Sequence, residues 1–423
     1  MNKVELSVKN FRAIKEAHIA LNGISVVSGI NGCGKSTLSK LLYYVFRNVN
    51  AYDELILKDT IRNIRPYLNV VEQMQQTLLE ENMKIGASFL SHFKIWPPQK
   101  IEDWMALGEM AGEVASAYEK IDKNKPNKAR IDAILRSTLQ SSEGEETGGM
   151  IKDLCLRVSH HLDKMDQLGR ERPYSLLRNS LASAFEGQIA KELCVKEYEV
   201  PFVSEGVTHV PLSHEIAKTA YIDTPMCLGV KSGLNYWEEL NALLRQPSKQ
   251  DYNFSLNQMI KGHIIQGDAS FTGDGLFETF TYKREDGEIF DLMDCATGIK
   301  SFAILQMLLK NGFLDDKALL VIDEPEAHLH PQWIVEYARL VVLLHKRLGT
   351  KFFIASHSTD FVSAVRYISE KEDCLHDVSF YLAEEAEKHQ FVFRSLEHDI
   401  EPIFKTFNKS FDKLDAYAGK EEE

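Results

Sequence analysis

The sequence predicts an α/β protein, a mixed sheet with flanking helices that is interrupted by a large helical insertion. Three observations carry this. Short β-branched or apolar runs at Ile24–Ser28, Ala318–Ile322 and Lys351–Ala355 suit strands buried on both faces. A glycine-rich turn lies between the first run and a segment whose apolar residues recur at helical spacing, and a second such segment follows the Ala318–Ile322 run. Most of the stretch between residues 51 and 264 has helical rather than alternating character.

The elements follow in order. Lys3 to Asn10 alternates apolar and polar residues as a strand, with Ala17 to Leu21 as its hairpin partner across Phe11-Arg12-Ala13. After the glycine turn, Leu38, Leu41, Leu42, Val45 and Phe46 mark one helical face. From Ala51 to Leu193 the pattern is helical, with breaks at Trp96-Pro97-Pro98, at Asn124-Lys125-Pro126 and in the acidic Gly/Ser-rich segment 141–149, a surface loop. No sustained heptad pattern and no internal repeat occur, so long coiled-coil arms are not expected. Strand character returns at Thr219–Asp223. A helix is predicted over Tyr236–Leu244, a hairpin over Phe277–Tyr282 and Ile289–Met293 turned by Glu285-Asp286-Gly287, and a helix over Ile299–Leu309. The Ala318–Ile322 strand ends in Asp323-Glu324-Pro325 and leads to a helix over Pro331–His345. Lys351–Ala355 ends at Ser356-His357-Ser358. Strands at Ser379–Leu382 and Phe391–Phe393 precede a helix from Pro402 to Tyr417, whose Ile403, Phe404, Phe407, Phe411 and Leu414 form a stripe for docking on the core.

Composition narrows the function classes. The 423 residues carry 49 basic and 62 acidic side chains, a formal net charge of −13, which argues against a surface coated for duplex DNA but leaves room for a local basic groove. No apolar run has transmembrane length and the first residues lack signal-peptide character, so a cytoplasmic protein without a membrane partner is expected. The six cysteines have no C-x-x-C spacing and suggest neither a disulfide frame nor a zinc knuckle.

Gly29-Ile30-Asn31-Gly32-Cys33-Gly34-Lys35-Ser36 matches G-x-x-x-x-G-K-[ST], with a buried strand before it and an amphipathic helix after it. Such glycines let successive N–H groups of Asn31, Gly32, Cys33 and Gly34 turn inward around phosphate oxygens, and the helix adds its own free N–H groups and positive dipole end. Lys35 is expected at the β- and γ-phosphates of ATP, Ser36 at Mg2+ and Thr37 at the α-phosphate. Asp323 closes an apolar strand, where a second Mg2+ contact is needed. Glu324 points to the other side of the extended backbone and can polarise a water. Standing alone, an Asp-Glu pair there would be an ordinary strand end meeting solvent.

Together these residues resemble an ABC-type P-loop ATPase of the RecF/SMC/OLD-like class. Val321-Ile322-Asp323-Glu324-Pro325 resembles its Walker B strand, Glu326-Ala327-His328-Leu329-His330-Pro331 its D-loop, and Lys351 to Ser358 the next strand with its switch histidine, His357. Asn10-Phe11-Arg12 also resembles that branch and adds Arg12 to the implied nucleotide contacts. Cys295-Ala296-Thr297-Gly298-Ile299-Lys300-Ser301 stands where the signature motif belongs. It departs from L-S-G-G-Q, with Thr297 replacing the serine, Gly298 kept and Lys300 in a polar position. The resemblance implies an ATPase head split into residues 1–50 and 265–398, a largely helical insertion over 51–264, and a C-terminal helix and tail over 399–423. It assigns catalysis to Glu324, His357 and Lys35. Thr297, Gly298 and Lys300 would act on nucleotide held by a sister subunit, in a homodimer or higher homo-oligomer. A Q-loop glutamine at the metal is implied, with Gln188 as its candidate. His328 and His330 read as loop and interface hydrogen bonders rather than metal ligands, and His160-His161 as a solvated pair.

The stretch after Phe393 is too short for the Toprim nuclease that OLD-like ATPases often carry. The resemblance therefore implies a sensor and scaffold ATPase with its effector, a nuclease or toxin, in another chain, as in the ATPase subunits of the Septu, retron and PARIS anti-phage systems. The alternative is a DNA-repair or chromosome-associated ATPase that clamps DNA. DNA or RNA stays open as a partner in either case.

Overall fold

A computed structural model describes residues 3–80, 101–121, 126–141, 145–188, 190–229, 235–249, 253–273, 278–327, 329–407 and 417. The chain forms two compact units, one from residues 1–50 and 177–423 and one from residues 51–176.

The first unit is built on a ten-stranded mixed sheet. Its strands are β1 (Val4–Phe11), β2 (Ile14–Ala20), β3 (Ile24–Ser28), β4 (Glu192–Glu197), β5 (Val200–Ser204), β6 (Lys218–Ile222), β10 (Ala318–Asp323), β11 (Lys351–Ala355), β12 (Val378–Glu387) and β13 (Gln390–Glu397), in the order β5-β4-β1-β2-β13-β12-β3-β11-β10-β6. The strands β12, β3, β11, β10 and β6 run parallel. Those of them that read as unbroken apolar runs, β3, β10 and β11, are buried at every position. β1 alternates and pairs antiparallel with β2 and β4, as a half-buried strand should.

Helices α1 (Lys35–Asn50), α9 (Thr297–Lys310), α10 (Pro331–Leu348) and α11 (Thr359–Lys371) flank these strands. His330 caps α10 through its side chain, Pro331 takes the first helical position, and Gly349 ends it in the left-handed region. α9 is apolar nearly all round and buried, a core helix between the sheet and a small second sheet of β7 (Gly267–Thr272), β8 (Thr279–Arg284) and β9 (Ile289–Asp291). That sheet contains the predicted hairpin, with Phe277 outside the described residues, and adds β7. α7 (Asn235–Leu244) and α8 (Phe254–Met259) complete the layer.

The second unit is helical. It contains α2 (Tyr52–Glu80), α3 (Ile101–Glu119), α4 (Pro126–Leu139) and α5 (Thr147–Glu171), and α6 (Tyr174–Ala184) leads out of it. Its core is the stripe Ile64, Leu68, Val71, Met74 and Leu78 of α2 with Met150, Leu154, Val158 and Leu162 of α5.

The helical insertion expected over 51–264 is therefore shorter. Residues 177–264 contribute β4, β5 and β6 to the large sheet, because Leu193, Val195, Phe202, Val203, Ala220 and Ile222 bury an alternating or continuous strand face. The Thr219–Asp223 strand seen in the sequence pairs in parallel with β10 instead of belonging to the insertion. At the C-terminal end, residues 401–407 are helical, Ile403 is fully buried in the main core and Phe407 packs against it. Phe411 and Leu414 lie outside the described residues, as do Trp96-Pro97-Pro98. No helix among the described residues is long and apolar enough to cross a membrane.

Candidate functional site

The strands β3, β10, β11 and β6 all end at the same edge of the sheet, and chemistry-bearing residues gather there. After β3 the chain curls through the glycine turn into α1. Gly34 takes φ +102, and a Cβ there would lie 3.0 Å from Ile14, so both the turn and the close approach of the β1–β2 hairpin require glycine. Lys35 is buried. Its ammonium donates to the carbonyls of Gly29 (2.8 Å) and Ile30 (3.1 Å), folding back over the turn. Asn31, Gly32 and Ser36 are exposed, while Cys33 is buried with its Sγ beside the Lys35 ammonium. Burial pushes the Cys33 thiol up in pKa, with Lys35 opposing.

Asp323 meets this turn from β10. Its carboxylate accepts hydrogen bonds from the Ser39 hydroxyl and from the Tyr221 hydroxyl at 2.7 Å. The register explains Tyr221. It lies level with Val321 on the neighbouring parallel strand, two residues below Asp323 and on the same face. Two residues of strand rise about 6.6 Å, a span that a phenol side chain covers. Ser39 follows Ser36 by three positions on α1, so both hydroxyls share one helical face. Burial holds the Asp323 carboxyl above the usual carboxylate range. The hydroxyls of Ser39, Tyr221 and Ser36 pull it back, and nearby Asp223 adds to the rise. The Ser36 hydroxyl and the Asp323 carboxylate are hard oxygen donors, the kind that suits Mg2+.

Glu324 sits just past the strand, at φ +49, and its N–H continues the ladder to the Ala355 carbonyl at 2.8 Å. The half-exposed His357 ring lies 3.5 Å from the Glu324 carboxylate and 3.3 Å from that of Glu326. The structure thus brings Ser36, Asp323, Glu324 and His357 to one edge.

Arg12 and Gln188 meet beside the tip of the β1–β2 hairpin, the hairpin whose Ile14 approaches Gly34. Arg12 Nε donates to Gln188 Oε1 at 2.9 Å, its guanidinium stands 5.2 Å from the Phe185 ring centre, and Glu186 is 3.6 Å away. The reason is topological. The loop after α6 leads into β4, which pairs with β1, so it arrives beside the hairpin tip that carries Arg12. The acid at the end of the strand beside β10 is Asp223, half-buried and held by Tyr236 (2.8 Å) and Trp237 Nε1 (2.7 Å). Sequence reasoning missed Asp223, Tyr221 and Ser39. An apolar strand ending in an acid, the pattern that marked Asp323, was the available signal for Asp223.

Thr297, Gly298 and Lys300 open α9. A Cβ on Gly298 would lie 2.8 Å from Trp333 and 3.2 Å from Leu329, so this glycine lets α9 seat against the start of α10. Lys300 is buried, and its charge reaches Cys295, whose thiol is raised by burial and lowered by this lysine. His330 accepts a bond from the Gln332 N–H at 3.4 Å. His328 lies outside the described residues. Among the described residues no group of three His, Cys, Asp or Glu could hold a metal ion.

This sheet, with a phosphate-binding turn and an acid-ended strand meeting at its edge, defines a P-loop ATPase. Residues 150–363 match the family described as "AAA domain, putative AbiEii toxin, Type IV TA system", and residues 1–166 match the family described as "AAA ATPase domain". The first match covers half of the chain, and the chain belongs to that family of ATPase domains. No curated protein matches. Among solved structures, the chain is similar to the Smc head domain of Pyrococcus furiosus with an extended coiled coil, bound to the C-terminal domain of ScpA (11% identity, 97% of this chain and 99% of that chain, TM-score 0.36). It is also similar to the SMC head domain from Thermotoga maritima (11% identity, 94% and 99%, TM-score 0.35) and to the Smc head domain with a coiled coil and joint from Pyrococcus yayanosii (8% identity, 97% and 100%, TM-score 0.39).

Proposed function

We propose that the chain is a Mg2+-dependent ATP hydrolase that works as a self-associating switch, the sensor and scaffold subunit of a bacterial anti-phage complex whose nuclease or toxin effector is a separate chain. The supporting observation is the meeting of two sets of residues at one sheet edge: the Lys35–Ser36 turn with Asp323, and Glu324 with His357.

Asn31, Gly32, Cys33, Gly34 and Thr37 line the turn that cradles phosphates, and Lys35 swings from the Gly29 and Ile30 carbonyls onto them. Ser36 and Asp323 hold the metal with Asp223 as a neighbouring acid, Gln188 is the Q-loop glutamine and Arg12 contacts the nucleotide. Bound Mg2+ would neutralise phosphate charge at this edge. Glu324 orients and polarises a water, and His357 reads the γ-phosphate. Thr297, Gly298 and Lys300 act across the interface on a sister subunit's nucleotide, with the α9 N-terminus supplying N–H groups. Because a γ-phosphate would touch both subunits, its presence controls their association. A matching family described by a toxin and a toxin–antitoxin system accords with a defence role, as does the net charge of −13.

The Glu324→Gln variant tests this. It should bind ATP as the wild type does, lose turnover by about two orders of magnitude and double its mass in ATP but not in ADP. Normal hydrolysis by this variant would remove Glu324 from the role. ATP-strengthened, salt-sensitive binding to duplex DNA would point instead to a DNA-clamping ATPase.

A further inference from the structure

We propose that Glu326 is a positioning residue, the group that ties the switch segment Ser356–Ser358 to the exit turn of β10 and so sets where the His357 ring stands beside Glu324. The inference rests on the reading of Glu324 and His357 given above.

β10 and β11 are parallel neighbours that leave the sheet at the same edge. The positive φ of Glu324 reverses the chain, a tight turn follows, and Glu326 is carried over the end of β11. There one carboxylate oxygen accepts from the Ser356 hydroxyl at 3.0 Å and from the His357 N–H at 2.8 Å. Ser356 in turn accepts from the Ser358 N–H, and Ser358 caps α11 through the Phe361 N–H. The Ser356 N–H donates to Val27 on β3, directly before the phosphate-binding turn. Glu326 is thus the root of a chain of bonds that links three strand ends.

The two acids beside His357 differ in freedom. The Glu324 side chain is 43% exposed, that of Glu326 6%. A buried carboxylate anchored by two donors is a fixed point, whereas an exposed one is free to swing toward a water. His357 Nδ1 lies between the two, 3.3 Å from the fixed one and 3.5 Å from the free one. The remaining Glu326 oxygen, Oε2, is buried without a hydrogen-bond partner among the described residues. Buried acceptors are seldom left unmet. This one offers the imidazole a second acceptor onto which it can turn when it leaves Glu324. Glu326 holds the His357 backbone N–H and stands 3.3 Å from its Nδ1, the logic by which a carboxylate orients a working histidine.

The test compares Glu326→Gln, His357→Ala and the double variant of the full chain, reading turnover, the affinity ratio for ATPγS over ADP, and thermal melting. Glu326→Gln keeps the acceptor for Ser356 and His357, so it folds where Glu326→Ala could fail. Expected is a kcat loss of about tenfold with KM within about twofold, a fall of the ATPγS/ADP ratio toward that of His357→Ala, and a double variant no worse than the worse single one. If His357→Ala loses the ratio while Glu326→Gln keeps it, Glu326 is only structural and the proposal is overturned. If His357→Ala itself keeps the ratio, the γ-phosphate reading of His357 fails, and the role of Glu326 falls with it.

Discussion

The two ends of the same parallel strands handle charge in opposite ways. At the amino ends of β6, β10 and β11, Glu215 is buried but matched. It receives the Tyr198 hydroxyl at 2.5 Å and lies 3.5 Å from the Lys351 ammonium and 3.7 Å from that of Lys317. Burial works against its charge, yet the Tyr198 bond and the two lysines prevail and bring its carboxyl down to about 2. Lys351 is lowered as well, because its own burial outweighs the single carboxylate it faces. At the carboxyl ends, the acids Asp323, Asp223, Glu324 and Glu326 crowd together. There Lys35 gives hydrogen bonds to loop carbonyls, and Asp323 is held by hydroxyls. One end has settled its charge within the chain. The other has left it for something yet to bind, and this marks it as the working end.

Removing one charge from each end sharpens the contrast. Glu215→Ala has the largest expected effect on the fold, since it leaves Lys351 buried without its carboxylate, at a cost on the order of 3 kcal/mol. Denaturant melting should register this, with the ATP affinity of the remaining folded protein unchanged. The sign of the pH dependence follows from the depressed pKa. The stabilisation by Glu215 is complete above its unfolded value of 4.5 and drains away as pH falls toward about 2. An acid titration of melting should therefore show a loss in the wild type that the variant lacks.

Asp323→Asn acts in the opposite direction. The folded pKa of Asp323 lies above its unfolded 3.8, so once ionised the group costs stability, and that cost grows as pH rises through this window. The nucleotide-free variant should melt about 2 °C higher while losing the dependence of nucleotide binding on Mg2+. A lower melting point would contradict the account. The smallest change is Tyr221→Phe, which removes one of the hydroxyls that orient Asp323. Mn2+ affinity in the ADP complex, followed by electron paramagnetic resonance, should weaken about fivefold, equivalent to one hydrogen bond of about 1 kcal/mol. ADP affinity without metal should stay as it was.

What was legible in the sequence is local. The phosphate-binding turn declares itself because its glycines, lysine and serine are contiguous and sit between a strand and a helix. Asp323 and His357 are visible because each follows an apolar run. The contacts of Tyr221, Ser39 and Glu326 are tertiary. A tyrosine within a strand reads as core until the register with β10 puts its hydroxyl at Asp323. The partner of Gln188 is tertiary in the same way, since pairing of β4 with β1 sets it beside Arg12. Gly298 reads in the sequence only as the glycine kept from the signature motif. Its packing against Trp333 shows only when α10 is in place. The reach of the helical unit was overestimated because short strands such as β4 and β5 are weak signals beside long helices.

The central claim is that each chain holds half of a nucleotide site and a sister copy supplies the rest. Mixing two disabled variants tests it directly. Lys35→Ala should not bind ATP, and Thr297→Glu should bind it without turnover. Mixed in equal amounts, they form pairs in which one composite site has both an intact turn and an intact α9 start, and about a quarter of wild-type turnover should return. No recovery at concentrations where the wild type associates, or full turnover by Thr297→Glu alone, would contradict it.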